Sequence, residues 1–246
     1  IRDRRFGIEI EMTGITRAGA AKVAATYFGT RSEYVGTYYQ TYAAVDQEGR
    51  QWKFMSDGSI RAEKKVNGEK RAAGAVYRTE MVSPICRYED IEKIQELIRE
   101  LKKKGAIVNE SCGIHVHIDA SPFDAGKLRN LTNIMAAKED LIYKALGVSV
   151  ERQHRWCRPV EERFLEELNR RRPTSMEAVE EIWYNGRSRR GQHYDQSRYH
   201  CLNLHSVFQK GTVEFRLFNG TLHAGKIKAY IPVSYTHLRA HETRHD

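Results

Sequence analysis

The chain has 246 residues, of which 40% are apolar and 30% are charged, and its formal net charge is +9. A chain of this length can bury a core without disulfides or structural metals, and no apolar run approaches the roughly 18 residues that a membrane span needs. An aromatic content of 10% argues against disorder. The basic balance suits a polyanionic partner such as nucleic acid, a membrane surface or a nucleotide, without choosing among them.

The N-terminal half contains period-two segments, which predict strands, and period-3.6 segments, which predict helices. The strands are 5–12 and pieces of 40–82, with a hairpin or mobile loop at 61–74; the helices are 16–28 and 89–104. Thr16 and Gly29 are the expected ends of the first helix, because a hydroxyl caps a helix start and glycine favours its end.

The C-terminal half continues in mixed order. Strands are predicted at 106–110, 113–119, 200–208 and 212–218; helices at 121–147, 159–171, 174–183 and from His223 onward; and a basic polar loop at 186–198. Because strands and helices do not alternate regularly, the pattern predicts an α+β fold with an antiparallel-rich sheet and helices packed on one side.

The four cysteines are widely spaced and form no C-x-x-C pair; they are Cys86, Cys112, Cys157 and Cys201. This spacing predicts reduced thiols in a cytoplasmic protein rather than a disulfide framework or a zinc knuckle. The chain begins at Ile1 rather than at Met, which suggests a fragment or a trimmed chain.

Four predicted strands carry functional side chains on their polar faces. Successive side chains of a strand point to opposite faces, so residues two apart share a face. The polar faces of the four strands carry, in chain order, Glu9 and Glu11, Glu80, His115 and His117, and Glu214 and Arg216. A solvated sheet face is the usual explanation, but such faces carry mostly Lys, Thr and Ser. Carboxylates gathered on one sheet would repel one another unless cations lay among them, and carboxylates with imidazoles suit Mg²⁺ or Mn²⁺.

The guanidinium of Arg216 offers a planar fork for a phosphate or a carboxylate. Together with divalent cations and a positive chain, it indicates nucleoside triphosphate chemistry. The sequence has neither a Walker A segment nor a dinucleotide-binding glycine fingerprint. We therefore expect the nucleotide to lie on the sheet rather than at a helix N-terminus.

Five motifs resemble a known family, in order from about residue 5 to residue 231. They are FGIEIEM (6–12), TEMVSPI (79–85), GIHVHID (113–119), RYHCLNLHS (198–206) and TVEFRLFNGTLHAGKIKAYI (212–231). The chain resembles the amidoligases, which are glutamine synthetase-like carboxylate–amine ligases related to glutamate–cysteine ligase. The resemblance implies a curved antiparallel-rich sheet with helices on its convex side and with ATP and Mg²⁺ (or Mn²⁺) on its concave face.

The resemblance also implies roles for individual residues. The metal ligands would be Glu9, Glu11, Glu80, His115 and Glu214; His117 would contact the nucleotide phosphates, with Arg198 and Asn203 as further phosphate or substrate contacts. Arg216 would neutralise the transferring phosphoryl group, with Glu214 as its catalytic partner. The implied enzyme activates a carboxylate as an acyl phosphate and then forms an amide or isopeptide bond with an amine.

The expected substrates are small-molecule or peptide carboxylates and amines, in a cytoplasmic protein without a membrane or nucleic-acid partner. Whether identical chains assemble stays open. We expect one catalytic domain at 1–231, cut short at its C-terminus. The tail 232–246 resembles translated sequencing adapter, and its H-E-x-x-H motif, 241–245, is interpreted as a decoy, because no apolar flank would bury a zinc-peptidase helix there.

Alternative functions stay open at this point. The arginine-rich segments 151–172 and 186–198 could bind nucleic acid, with Trp156 or Tyr194 stacking on bases. They could equally be a solvated helix face and a mobile loop, or a loop that folds over ATP or an acidic substrate. A metal-dependent nuclease and a binding module for nucleic acid or peptide are therefore the competing hypotheses. Five isolated histidines are interpreted as structural: His154, His193, His200, His205 and His223.

Overall fold

The structure is a computed structural model that describes residues 4–239 and the side chains of residues 4–235. Over that range the chain forms ten strands and eight α-helices. Residues up to Ile114, together with Asn219–Tyr230, make one compact unit, here called unit 1. His115–Phe218 and the described residues from Ile231 onward make the second, unit 2.

Unit 1 is built on an antiparallel sheet. Its strands are β1 (Phe6–Met12), β2 (Ser32–Gly36), β3 (Thr41–Val45), β4 (Gln51–Met55), β5 (Glu63–Val66), β6 (Glu69–Ala72) and β7 (Thr79–Val82), and its helices are α1 (Arg17–Phe28) and α2 (Asp90–Lys103). The strand order is β2-β3-β4-β7-β1, and each of these neighbours pairs antiparallel. Strands β5 and β6 form a separate antiparallel hairpin, as predicted for 61–74.

The core of unit 1 explains which face of β1 is left for chemistry. Ile8, Ile10 and Met12 are at most 1% exposed, and each buried side chain of this kind contributes about 1.5–3 kcal/mol. Helix α1 packs against β2, β3, β4 and β7, and α2 packs against α1. Because side chains alternate along a strand, the burial of this apolar face turns Glu9 and Glu11 to the other face.

Helix α1 begins and ends as its sequence predicts. The Thr16 hydroxyl accepts a hydrogen bond from the N–H of Gly19 at 3.1 Å, which satisfies a donor that the first helical turn leaves open. Gly29 ends the helix in the left-handed region with φ +68°, a conformation that costs glycine little.

Unit 2 combines three strands with a group of helices. In chain order, the remaining elements of the chain are β8 (Gly113–Asp119), α3 (Ala125–Leu146), α4 (Val150–Arg155), α5 (Glu162–Arg171), α6 (Met176–Tyr184), β9 (Leu202–Asn203), α7 (His205–Lys210), β10 (Thr212–Asn219) and α8 (Ala224–Arg239). Residues 224–230 of α8 belong to unit 1. Strand β10 lies between β8 and β9 and pairs antiparallel with β9. Helix α5 packs against α3 and α6. The ring of Phe164 in α5 lies edge-on to the ring of Trp183 in α6, with the ring centroids 4.9 Å apart.

Two predicted strands are wrong. Within 106–110 the structure has only a bridge between Ile107 and Thr13, because Asn109 turns the chain by accepting the N–H of Ser111 at 3.1 Å. Within 200–208 the strand is only Leu202–Asn203, and α7 follows at once. Helix α7 ends at Gly211, whose φ of +71° allows the chain to reverse into β10.

The remaining differences concern short or terminal elements. Strand β2 and helix α4 were not predicted, and α3 begins at Ala125, capped by Asp124, rather than near Ser121. Helix α8 begins near His223 as expected and continues to Arg239. The mixed α/β architecture with antiparallel pairing is confirmed, whereas a glutamine synthetase-like curvature stays a prediction.

All four cysteines are buried, and none of them is in a disulfide, which agrees with reduced thiols. No helix among residues 4–239 is long and apolar enough to cross a membrane. The H-E-x-x-H motif, 241–245, lies outside the described residues.

Candidate functional site

Three carboxylates of unit 1 lie close together and are called here the carboxylate cluster: Glu11, Asp57 and Glu80. In the β1–β7 pairing, Glu11 stands directly opposite Glu80, and residues directly opposite in an antiparallel pair share a face. Glu9, which is half-buried, lies two residues before Glu11 on the same face of the strand. Glu11 and Glu80 are only 4% and 9% exposed. The predicted proximity of these three glutamates is thereby seen within unit 1.

Asp57 joins the cluster although its sequence context did not single it out. It follows β4 by two residues, and Met55 of that strand pairs with Glu80, so the chain leaving β4 passes this carboxylate. The Asp57 Oδ1 atom accepts the N–H of Ser59 at 2.6 Å, which fixes the turn. One ligand oxygen each from Glu11, Asp57 and Glu80 lie within 4.8 Å of one another.

The donor atoms of the carboxylate cluster fit a hard divalent cation. Oxygen ligands of this kind suit Mg²⁺, Ca²⁺ or Mn²⁺, whereas zinc and copper favour sulfur and imidazole. The Glu11 Oε2 atom also accepts the N–H of Gly113 at 2.5 Å, so the carboxylate is held in a fixed orientation. Like charges at these separations repel, and a cation among them would reverse the sign of that interaction.

A second constellation lies in unit 2 and is called here the mixed-charge cluster: His115, His117, Asn203, Glu214 and Arg216. Its centre is the Glu214 carboxylate, which is 1% exposed. Asn203 stands directly opposite Glu214 in the β9–β10 pairing, and its Nδ2 donates to Oε2 at 2.7 Å. Arg216, two residues along the same face of β10, donates from Nη1 to Oε1 at 2.5 Å. Both oxygens of this buried carboxylate are therefore engaged.

The two imidazoles of β8 complete the mixed-charge cluster. The Nδ1 atom of His115 lies 3.7 Å from Glu214 Oε1, and the Nε2 atom of His117 lies 3.9 Å from Glu214 Oε2. On its other side, His117 Nδ1 is hydrogen-bonded to the Thr212 hydroxyl at 2.9 Å, and that hydroxyl contacts Ser206 Oγ at 2.8 Å. These hydroxyls fix the ring so that Nε2 turns toward Glu214.

Arg198, the other predicted phosphate contact, lies at the edge of this constellation. Its guanidinium carbon and that of Arg216 each lie 5.7 Å from the centre of the Tyr199 ring, so the same aromatic ring contacts both cations. The Arg198 Nη1 atom donates to the His193 carbonyl at 2.8 Å. Arg198 is half-buried, unlike the buried Arg216.

The predicted site residues thus fall into two groups, one in each unit. Sequence alternation found the members that share a strand. It missed Asp57 and Ser206, which join only through pairing register and turns, and it also missed Thr212, although Thr212 lies two residues before Glu214 in β10. It assigned His205 a structural role; His205 lies two residues after Asn203, the last residue of β9.

The arginine-rich segments do not present a row of open cations. Arg152 is buried at 4% exposure. Others pair with acidic side chains or backbone oxygens: Arg170 with Glu167, Arg171 with Glu181, Arg189 with Asp195, Arg190 with Glu180 and Arg158 with the Gln196 carbonyl. Such pairing is typical of structural charge and reduces what is left for a nucleic-acid backbone.

Comparison with known proteins adds one finding. No curated protein matches the chain. A family model described as "Putative amidoligase enzyme" matches residues 2–236, which is nearly the whole chain and includes both constellations. The chain therefore belongs to the amidoligase enzyme family.

Proposed function

We propose that the protein is an ATP-dependent carboxylate–amine ligase that acts through an acyl phosphate. Family membership supports a ligase. The observation that carries the finer assignment is the buried ion pair of Glu214 and Arg216, at 2.5 Å. It holds a guanidinium, the side chain best shaped for phosphoryl oxygens, beside two imidazoles on one strand face.

The proposed reaction has two steps. A carboxylate oxygen of the substrate attacks the γ-phosphorus of ATP, the bond to the β–γ bridging oxygen breaks, and ADP leaves. The amine nitrogen then attacks the carbonyl carbon of the acyl phosphate, inorganic phosphate leaves with the C–O bonding electrons, and the nitrogen loses a proton. Positioning and charge stabilisation supply most of the catalysis in such chemistry.

The mixed-charge cluster would handle the phosphoryl group. Arg216 would stabilise the negative charge on the transferring oxygens, while Glu214 and Asn203 set the position of its guanidinium. His117, held by Thr212, would contact the phosphates. Arg198, which contacts the same Tyr199 ring as Arg216, would supply further positive charge for the phosphates.

The carboxylate cluster with Glu9 would hold a divalent cation, Mg²⁺ or Mn²⁺, and His115 and Glu214 are the proposed ligands in unit 2. When bound, such cations neutralise the charge on phosphate oxygens. The carboxylates of unit 1 would orient the cation.

A nuclease or a nucleic-acid-binding module is not favoured. Family membership points to a ligase, and the arginines that such a surface would need are largely paired within unit 2. A nuclease would cleave DNA with Mg²⁺ in the absence of ATP, which is a simple assay.

The proposal is tested by measuring ADP release with Mg²⁺ and ATP against a panel of amino acids, peptides and cell-wall fragments. Hydroxylamine is included as an amine that traps acyl phosphates as hydroxamates. We expect ADP release that requires a carboxylate and rises with the amine, together with hydroxamate formation. Glu214→Gln should lower the rate by about 10²–10³-fold, as the loss of one preorganised electrostatic group does elsewhere.

Glu33→Gln is the matched control, because Glu33 is exposed on β2 and should leave the rate unchanged. The ligase proposal fails if the purified protein binds no Mg–ATP. It also fails if Glu214→Gln retains the full rate of ADP release.

A further inference from the structure

His205 has an unexplained buried nitrogen. The residue begins α7 and is 2% exposed. Its Nδ1 atom is hydrogen-bonded to the Tyr184 hydroxyl at 2.6 Å, whereas Nε2 is buried without a hydrogen-bond partner among the described residues. Buried polar side-chain atoms are nearly always paired, so this nitrogen indicates a partner outside those residues.

Proton accounting assigns the tautomer of His205. The Tyr184 side chain is 2% exposed, and burial, with the charges of Glu180 and Asp195, raises the pKa of its phenol. The phenol is therefore protonated at neutral pH, and its O–H needs an acceptor. Within the part of the chain that the structure describes, His205 Nδ1 is the hydrogen-bond partner of that hydroxyl. Nδ1 thus accepts, and the proton of the neutral ring is on Nε2.

The surroundings of His205 keep the ring neutral and place a cation nearby. Burial lowers its pKa, the charges of Arg198 and His193 lower it further, and Asp195 and Glu214 oppose this effect. Asp195 is itself engaged by Arg189 at 2.8 Å, as is Glu214 by Arg216. What remains is a neutral N–H donor with the Arg198 guanidinium among its charged neighbours, a combination typical of oxyanion recognition.

We propose that the Nε2–H of His205 donates a hydrogen bond to an oxyanion, a phosphoryl or carboxylate oxygen of a bound substrate, with Arg198 supplying positive charge. Tyr184 acts as the positioning residue that fixes the tautomer. The proposal rests on the proposed function only for the source of the oxyanion, which is either the nucleotide phosphate or the carboxylate of the acid substrate.

The tautomer and the ligand can both be observed by NMR on the full chain labelled with ¹⁵N-histidine. Two-bond ¹H–¹⁵N spectra should show His205 protonated at Nε2, with its signals assigned by their loss in His205→Gln. Titrations with ATP, inorganic phosphate and acetate then identify the acceptor. A shift of the Nε2 proton with ATP and phosphate identifies the nucleotide, and a shift with acetate identifies the acid substrate.

Three variants separate the donor from the ring. His205→Leu removes the donor and should weaken binding of the responding probe by at least about tenfold, the lower value for one hydrogen bond to a charged group. His205→Gln carries an N–H near the position of Nε2 and should recover most of that loss. Tyr184→Phe should let the proton move to Nδ1 and weaken binding severalfold. His154→Gln, on the exposed face of α4, should have no effect.

Two results would overturn the inference. One is a ring protonated at Nδ1. The other is an Nε2 proton that responds to none of the three probes, which would mean that an internal water is its partner. A responding Nε2 proton without ADP release would reject the ligase but not this donor, so the two proposals fail separately.

Discussion

The two units arrange their acidic side chains in opposite ways. In unit 1, one oxygen each from Glu11, Asp57 and Glu80 lie within 4.8 Å of one another, which concentrates like charge. In unit 2, the Glu214 carboxylate accepts hydrogen bonds from the Arg216 guanidinium at 2.5 Å and from the Asn203 amide at 2.7 Å, which brings opposite charges together. The first arrangement gains from an added cation. The second gains from keeping its own cation until an anionic ligand competes for it.

This difference suggests a division of labour. A cluster of hard oxygen donors is suited to a divalent cation and indifferent to phosphate. A buried guanidinium is suited to phosphate, and its pairing with Glu214 leaves less of that carboxylate available to an added cation. The two clusters should therefore respond most strongly to different ligands and to different substitutions.

The largest effect is expected from removing the cation of the mixed-charge cluster. Arg216→Met leaves Glu214 buried beside the site of a lost guanidinium, which should cost about 3–5 kcal/mol of the free energy of unfolding. Urea unfolding measures this. The double variant Glu214→Gln, Arg216→Met should lose less than the sum of the single variants, because neither charge is then left alone.

Arg170→Met is the control for this prediction, since Arg170 pairs with Glu167 on the surface and such pairs contribute little. Its urea midpoint should match that of the unchanged protein. Equal losses for Arg170→Met and Arg216→Met would show that the buried pair has no special stability role.

The next effect concerns cation binding by the carboxylate cluster. MnCl₂ should raise the melting temperature, because a ligand at a hundred times its Kd stabilises the folded state by about 2.7 kcal/mol. Glu11→Gln and Asp57→Asn should each reduce the Mn²⁺ affinity by at least about tenfold, and so reduce the rise. Glu33→Gln should keep it. If Mn²⁺ leaves the melting temperature of the unchanged protein as it was, the proposed contrast between the two clusters is wrong.

The smallest effect is expected at a salt bridge that stabilises the fold and lies outside both clusters. In unit 1, Asp90 accepts from Arg50 Nη2 at 2.7 Å. Burial opposes ionisation, but the hydrogen bonds from Arg50 and from the Arg87 backbone outweigh it and lower the pKa of Asp90 to about 2. A folded pKa below the unfolded value, about 3.9, gives stability that is present above the unfolded pKa and is lost as the pH falls through the folded pKa.

Asp90→Asn should therefore unfold more easily at neutral pH and should lose less stability on acidification to about pH 2, since the linkage of this group is removed. Urea midpoints across that range give the comparison. Asp140→Asn, on the exposed side of α3, should keep the original pH dependence. Neither variant should change the response to Mn²⁺, which separates structural pairing from the carboxylate cluster.

Much of the candidate site could be predicted because it follows from backbone geometry. Strand alternation alone placed Glu9 beside Glu11, His115 beside His117 and Glu214 beside Arg216, since every second side chain shares a face. It could not place Asp57, which joins Glu80 through the register of β4 with β7. Nor could it show that Asn203 holds Glu214, because the partner across a sheet is chosen by long-range packing.

The same distinction holds for the fold. Local signals determined the ends of α1 and the 61–74 hairpin, and the Ser175 hydroxyl caps the start of α6, because hydroxyl caps and glycine turns act within a few residues. The segment 200–208 was predicted as one strand, and its local signal is only the short alternation Leu202-Asn203-Leu204-His205. There the prediction failed. Only Leu202–Asn203 pairs with β10, and the chain after it coils into α7. Alternation determined which side chains could share a face; tertiary packing decided which strands continued, which residues stood opposite and where the charge of Glu214 was balanced.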